Sequence, residues 1–233
     1  SKIINHGIFD VFAEGVIQIE EASMFLNQSS TAPGAAKARF IVNLDPMFDV
    51  NFQMIETQGT GSVFVNDGGE FVNRSPGGIT SMDVRFDNRG LVSAEEGTIK
   101  LNLGGTHGLA QFLTTGTNQV IFNGGTNRFQ LSKGDIEFGP QVIWEKGEIV
   151  LESGAGKLKA QAFNVRGAMA DIKGFGNIEA SSLEYRPPSG AAQLKIGEGV
   201  RIQLENQMVV DGPSTQFLLE GDINTKGQIT LSK

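Results

Sequence analysis

One stretch shows the pattern that runs through the whole chain: Phe86-Asp-Asn-Arg-Gly-Leu-Val-Ser-Ala-Glu-Glu-Gly-Thr-Ile-Lys-Leu-Asn-Leu-Gly-Gly-Thr-His107. Within it, Gly97 is followed by one free position and then by two apolar residues, Ile99 and Leu101, which a polar residue separates. A turn glycine that precedes such an alternation predicts a short strand with one apolar face. The same phrase, displaced by one residue at Gly199, begins at Gly15, Gly61, Gly134, Gly147, Gly176, Gly199 and Gly227.

A second phrase lies between copies of the first: a Phe that is followed closely by Asn and then by Gly or another turn residue. It begins at Phe71, Phe86, Phe122 and Phe163. Asn and Gly tolerate a positive φ, so these phrases predict corners at which the chain changes direction. Strands and corners that alternate at irregular spacing predict an all-β fold, a right-handed parallel β-helix (β-solenoid) of about ten short irregular coils. The apolar phrase positions should form its interior, among them Ile99, Leu101, Ile136, Phe138, Ile149, Leu151, Ile202 and Leu204.

The competing all-β interpretations are a β-sandwich and a closed antiparallel barrel. Both folds join neighbouring strands by tight hairpins, for which Asn-Gly and Asp-Gly are the strongest short signals. The chain offers such dipeptides only at Asp67, Asn123 and Asp211. These are too few to connect ten or more strands, which favours the parallel solenoid.

Composition excludes several classes of protein. The chain has 233 residues, a formal net charge of −7 and no cysteine. Disulfides, thiolate metal sites and a cysteine nucleophile are therefore excluded. Binding to nucleic acid is not expected, because phosphate recognition needs clustered Lys and Arg. A membrane span is not expected either, since no apolar stretch approaches the roughly 20 residues that a helix needs to cross a bilayer.

We expect a single β-solenoid domain over residues 1–233, with a loop insertion at about 28–54. The insertion begins with the polar, Pro- and Gly-containing stretch 28–37, and apolar alternation resumes at 38–52. The repeat phrase reaches both ends of the chain without a recognisable cap. Uncapped solenoid ends expose unpaired backbone. The pattern therefore predicts either a piece of a longer solenoid or copies that stack end to end.

The phrases within residues 86–151 resemble the repeats of large bacterial surface proteins. In the haemagglutinin-like and autotransporter-passenger β-solenoids, phrases of the form F-x-N-x-G followed by G-T-(I/L)-x-L-x-G-G recur over long chains. The resemblance implies export, a position at the cell surface or in a matrix, and adhesive or structural work. It implies no catalytic residue, because the phrases specify the shape of a coil.

The histidines offer little chemistry. His6 and His107 are the only two in the chain, so a Ser-His-Asp triad or a histidine metal site would need one of them. His107 follows a Gly-Gly-Thr corner and His6 lies near the first residues, and we expect both side chains to be exposed. No calcium loop and no phosphate-binding loop is present, so no cofactor and no metal are expected.

Paired carboxylates raise the possibility of an enzyme, because glycoside cleavage uses two acidic side chains on one face. Asp83, Arg85 and Asp87 alternate in Met-Asp-Val-Arg-Phe-Asp and are expected to share one strand face. They are the catalytic candidates of an alternative function, a polysaccharide lyase or glycoside hydrolase. Against it, a sugar cleft normally needs aromatic platforms, and the chain has only Trp144 and Tyr185 besides its phenylalanines. We expect these two rings to cap the solenoid or fill a wide corner.

The sequence thus favours a non-catalytic, extracellular structural or adhesive element. The expected partners are further copies of the chain, bound end to end or laterally, and an extracellular glycan or cell-surface ligand. The polysaccharide-active enzyme is the alternative from a different class. A third hypothesis is a segment of a phage fibre, which would form a tight trimer in solution.

Overall fold

The computed structural model describes residues 2–12, 15–19, 22–32, 34–44, 51–56, 61–188, 191–212 and 215–232. They form one 21-stranded sheet. Its strands are β1 (Lys2–Asn5), β2 (Ile8–Val11), β3 (Gly15–Ile19), β4 (Met24–Gln28), β5 (Arg39–Val42), β6 (Asn51–Glu56), β7 (Val63–Asp83), β8 (Arg85–Leu101), β9 (Gly104–His107), β10 (Gln111–Thr114), β11 (Gln119–Gln130), β12 (Ile136–Phe138), β13 (Val142–Glu152), β14 (Lys157–Val165), β15 (Met169–Gly174), β16 (Gly176–Tyr185), β17 (Ala192–Ile196), β18 (Val200–Asp211), β19 (Thr215–Leu219), β20 (Asp222–Thr225) and β21 (Gln228–Ser232). A single 3₁₀ turn, Leu131–Lys133, is the only helical element among the described residues.

Every pairing between described strands is parallel. The chain winds into a β-solenoid of about ten coils, and each coil contributes one strand segment to each of three faces. The first face begins with β1 and β4, the second with β2 and β5, and the third with β3 and β6. This confirms the parallel β-helix over the hairpin-linked alternatives; its right-handed sense stays a prediction.

The predicted interior is confirmed. All eight phrase residues expected in the core are at most 7% exposed. The core of the first coils holds two columns of phenylalanine rings. Phe25, Phe64 and Phe86 stack face to face at 5.1 and 5.2 Å, one ring per coil. A second column stacks beside it, and its rings meet the first column edge-on. Offset stacks and edge-on contacts are the favourable geometries for aromatic rings.

Side-chain amides form a hydrogen-bonded column at one corner of the same coils. Asn27 Nδ2 donates to Asn66 Oδ1, and Asn66 Nδ2 donates to Asn88 Oδ1, both at 2.8 Å. Asn5 donates to Asn27 in the same way. The three inner amides are fully buried. Each coil thus supplies the hydrogen-bond partner that the next buried amide needs, because the register of the stack repeats.

At several phrases the opening glycine allows close stacking of coils. Gly97 has φ +71°, and a Cβ atom built there would lie 2.4 Å from the carbonyl oxygen of Ser75 on the preceding coil. Gly147 has φ +93°, and its Cβ would lie 2.1 Å from the carbonyl oxygen of Gly125. A side chain at either corner would therefore push neighbouring coils apart, in addition to straining the backbone.

The segment that was expected to be a loop insertion, 28–54, contributes two strands to the second coil. Strand β5 pairs with β2 and β7, and β6 pairs with β3 and β7. The side chains of Phe40, Phe52 and Met54 point into the core and are at most 2% exposed. Their apolar spacing is the ordinary strand alternation, and a polar stretch without strand structure lies between β4 and β5. Residues 33 and 45–50 of this segment lie outside the described residues.

Candidate functional site

The three candidate catalytic residues do not share a face. Strand β7 ends at Asp83 on the third face, Val84 is fully buried, and β8 begins at Arg85 on the first face. Val84 turns the chain through a corner, so the alternation of Asp83 and Arg85 does not continue along one surface. The expectation of one shared face was wrong, because a corner that contains neither Gly nor Asn has no clear sequence signal.

Arg85 and Asp87 form a two-pronged ion pair on the first face. Arg85 Nε and Nη2 donate to the two carboxylate oxygens of Asp87, both at 2.9 Å. Asp87 Oδ1 also accepts a hydrogen bond from the backbone N–H of Thr106 at 2.8 Å. The guanidinium thus neutralises the carboxylate that would have to act as acid, base or nucleophile.

Asp83 anchors a polar ladder along the corner between the third and first faces, which we call the third corner. Its two carboxylate oxygens accept from Gln53 Nε2 at 2.8 Å and from Asn102 Nδ2 at 2.7 Å. Asn102 Oδ1 in turn accepts from Asn123 Nδ2 at 2.9 Å on the following coil. Each of these side chains has a partner one coil away, which gives Asp83 a structural role at the corner.

His107 is fully buried, so the expectation of an exposed turn histidine was wrong. It lies in register with Asn88, the last residue of the amide column, on the following coil. Its Nε2 donates to Asn127 Oδ1 at 3.0 Å, since that amide oxygen can only accept. Nδ1 has no hydrogen-bond partner among the described residues. Burial lowers the pKa of His107 to about 4, with the Asn127 hydrogen bond acting in the opposite direction.

The remaining candidates are His6 and the two aromatic residues other than phenylalanine. Trp144 and Tyr185 are buried, at 2% and 0% exposure, and neither presents a ring to solvent as a sugar platform. Trp144 stacks on Phe122 at 5.2 Å. Burial raises the pKa of Tyr185 to about 12. Both rings therefore belong to the core. His6 is exposed, as predicted.

The outer surface of the later coils is covered by ion pairs that span adjacent coils. On the second face, Lys159 Nζ lies 2.6 Å from Asp135 Oδ2, and Lys157 pairs with Glu179. The hydrogen bond from Lys159 lowers the pKa of Asp135 below its ordinary value. These side chains remain more than a third exposed, so their attraction is screened by water. The face is polar and self-neutralised.

The third corner changes character at the sixth coil. Beyond Asn123, the corner positions are occupied by Glu145, Arg166 and Arg186, which follow the core residues of three successive coils. A surface hollow of about 680 Å³ opens here. Its lining combines these charges and Lys146 with apolar side chains, of which Met169 is 64% exposed. The sequence carries no local signal for this site, since its residues are far apart along the chain and belong to no motif.

Two negative observations complete the description. Across the described ranges, no three His, Asp or Glu side chains come together in a way that could hold a metal ion. The same ranges contain no helix with the length and hydrophobicity required to cross a bilayer.

Comparison with known proteins leaves the fold as the main guide to function. No protein-family model matches the chain, and neither a curated protein nor a solved structure shows significant similarity to it.

Proposed function

We propose that this protein is an extracellular structural or adhesive element that acts as a stiff rod. The observation that supports this role best is the unbroken internal stack. Parallel pairing and one apolar interior connect the coils in the described part of the chain, and the buried amide column joins the first four of them. At about 4.8 Å per coil, ten coils give a rod of about 50 Å.

The extracellular position rests on the resemblance of the phrases in residues 86–151 to repeats of exported bacterial surface solenoids. The haemagglutinin-like or autotransporter-passenger type is part of this proposal. The absence of cysteine is compatible with either redox environment and decides nothing.

The non-catalytic part of the proposal is supported by the state of the candidate carboxylates. Asp87 is neutralised by Arg85, and Asp83 holds two amide donors at a corner. The two acidic side chains lie on different faces, whereas glycoside cleavage needs two carboxyl groups on opposite sides of one bond. We therefore propose that neither residue performs chemistry.

We further propose that copies associate end to end. Within the described residues, β1, β2 and β3 pair only with the second coil, and β19, β20 and β21 pair only with the preceding one. Side chains of these strands that point along the core remain exposed, among them Ile3 (56%) at one end and Ile229 (53%) at the other. Open parallel edges with apolar interiors suit continuation of the stack, either by a second copy in the same register or by further coils of a longer surface protein.

Negative-stain electron microscopy and sedimentation velocity over a range of concentrations test this proposal. We expect filaments whose length grows with concentration and rods of constant width. The variant Ile229→Lys places a charge in the stacking interface and should leave short rods. Thr230→Lys, which adds the same charge at an outward position, should still form filaments. Short rods of the unmodified chain at every concentration would overturn end-to-end association, and turnover of a glycan would overturn the non-catalytic role.

A further inference from the structure

Two arginines stack at the third corner of the seventh and eighth coils. Trp144, Val165 and Tyr185 occupy the same register position on successive coils. The residue after each of the last two is an arginine, and the backbone N–H of Arg166 and of Arg186 bonds to the coil before it, at 2.7 and 2.9 Å. The two backbones are therefore one coil apart, or about 4.8 Å. Like charges placed opposite each other on neighbouring strands destabilise a sheet.

The structure compensates this repulsion only in part. Arg186 Nε lies 3.2 Å from Glu184 Oε2. Arg166 and the nearby Lys146 form no ion pair with any residue in the described part of the chain. Earlier along the same corner, Asp83, Asn102 and Asn123 close their ladder with hydrogen bonds. At the arginine pair, by contrast, a bound anion would offset the repulsion between the two guanidinium groups.

The arginines border the hollow of about 680 Å³, whose remaining surface is largely apolar. Met169 and Pro187 form part of it, and small residues keep it open. A Cβ atom at Gly167 would lie 2.3 Å from the carbonyl oxygen of Glu145, so that corner tolerates no side chain. Three cationic side chains and one carboxylate line the hollow, in a protein whose formal net charge is −7. The local charge therefore opposes that of the molecule.

We propose that this corner hollow binds a carboxylated polysaccharide. The inference rests on the adhesive part of the proposed function and names its ligand class. Guanidinium groups bind carboxylates through two parallel hydrogen bonds, and two of them one coil apart suit a polymer with regularly repeated carboxylates. The exposed apolar side chains offer contact to the C–H faces of sugar rings.

Other polyanions fit the hollow less well. An extended peptide adds to a sheet through free backbone groups at an edge, whereas the backbone N–H groups of both arginines are already bonded to the adjacent coil. A single-stranded nucleic acid would need aromatic side chains on which bases stack, and none lines the hollow. A ligand held by charged side chains and aliphatic contacts therefore matches the site best.

Binding of the intact chain to polygalacturonate, measured by isothermal titration calorimetry at low and high salt, tests the proposal. The double variant Arg166→Gln/Arg186→Gln keeps polar side chains and removes both charges. We expect its affinity to fall about tenfold or more, because charge-assisted hydrogen bonds are lost. The matched control Arg128→Gln/Arg201→Gln removes the same charge from exposed positions on the faces and should change affinity less than about twofold.

Several results would overturn the proposal. They are no binding of polygalacturonate by the unmodified chain, an equal loss in the control variant, or equal binding of dextran sulfate or polyglutamate at the same site. Thermal unfolding of both double variants verifies that they fold. Filament formation is measured separately, so a rod that assembles without binding the glycan rejects this site and leaves the structural role intact.

Discussion

His107 Nε2 lies 3.0 Å from Asn127 Oδ1 inside the solenoid, where the two fully buried side chains join neighbouring coils. The imidazole is surrounded by Phe112, Phe122 and Phe129, whose ring centroids are 5.1 to 5.8 Å away. It serves as the hydrogen-bonding member of an aromatic cluster. An ionised imidazole in that cluster would lose its hydration without gaining a partner anion.

Stability should therefore depend on the protonation of His107. Its pKa is about 4 in the folded chain and 6.5 when unfolded, so unfolding takes up a proton between these values. The neutral imidazole contributes fully to the free energy of unfolding above pH 6.5. This contribution, about 3 kcal/mol at most, is lost as the pH falls toward 4. Urea unfolding at pH 7.5 and 4.5 measures the difference. His107→Gln keeps a donor for Asn127 without titrating and should flatten the profile, and an unchanged profile would contradict this role of His107.

The amide column should be sensitive to loss of one member. Asn66 is fully buried, accepts from Asn27, and donates to Asn88 and to the carbonyl of Leu91. Asn66→Ala leaves an amide donor and a carbonyl without a partner and opens a small cavity, which should cost about 2–4 kcal/mol. Chemical denaturation measures the loss. Asn224→Ala, at an exposed outward position, should cost less than about 0.5 kcal/mol, and similar losses in both variants would contradict the role of the column.

Close stacking at the phrase glycine can be separated from backbone strain. Gly97 and Gly116 both have positive φ, at +71° and +61°. A Cβ at Gly116 would meet nothing within 4 Å, whereas at Gly97 it would lie 2.4 Å from a backbone oxygen. Gly116→Ala should therefore cost about 1 kcal/mol and Gly97→Ala clearly more, about 3 kcal/mol. Equal shifts of the urea midpoint would show that conformation alone selects the glycine.

The paired carboxylates provide a direct test against the enzyme hypothesis. We expect no turnover of neutral or anionic glycans by the unmodified chain. Asp83→Ala and Asp87→Ala should therefore show none either. The exposed Arg85–Asp87 pair should contribute less than about 1 kcal/mol to stability. Turnover by the unmodified chain that either substitution abolishes would favour the lyase or hydrolase. Release of reducing sugars measures hydrolysis, and absorbance of the unsaturated product measures the lyase reaction.

The local pattern of the sequence was sufficient to predict the class of fold and part of the core. Glycine-led alternation identifies strands such as Ile99–Leu101 and Ile202–Leu204, since burial on one side leaves a period of two. Strands β5 and β6 also show this alternation in the sequence. The polar stretch before them nevertheless led to the prediction of an insertion. These features depend on neighbours along the chain.

The environment of individual side chains was decided by the tertiary structure. Whether His107 points outward or into the core depends on its register against Asn88, and Asp83 is separated from Arg85 by the corner at Val84. Arg166 and Arg186 lie one coil apart because two coils of unequal sequence place them at one corner. Coil-to-coil register results from loop lengths and packing summed over whole turns, whereas alternation records only which side of one strand is buried.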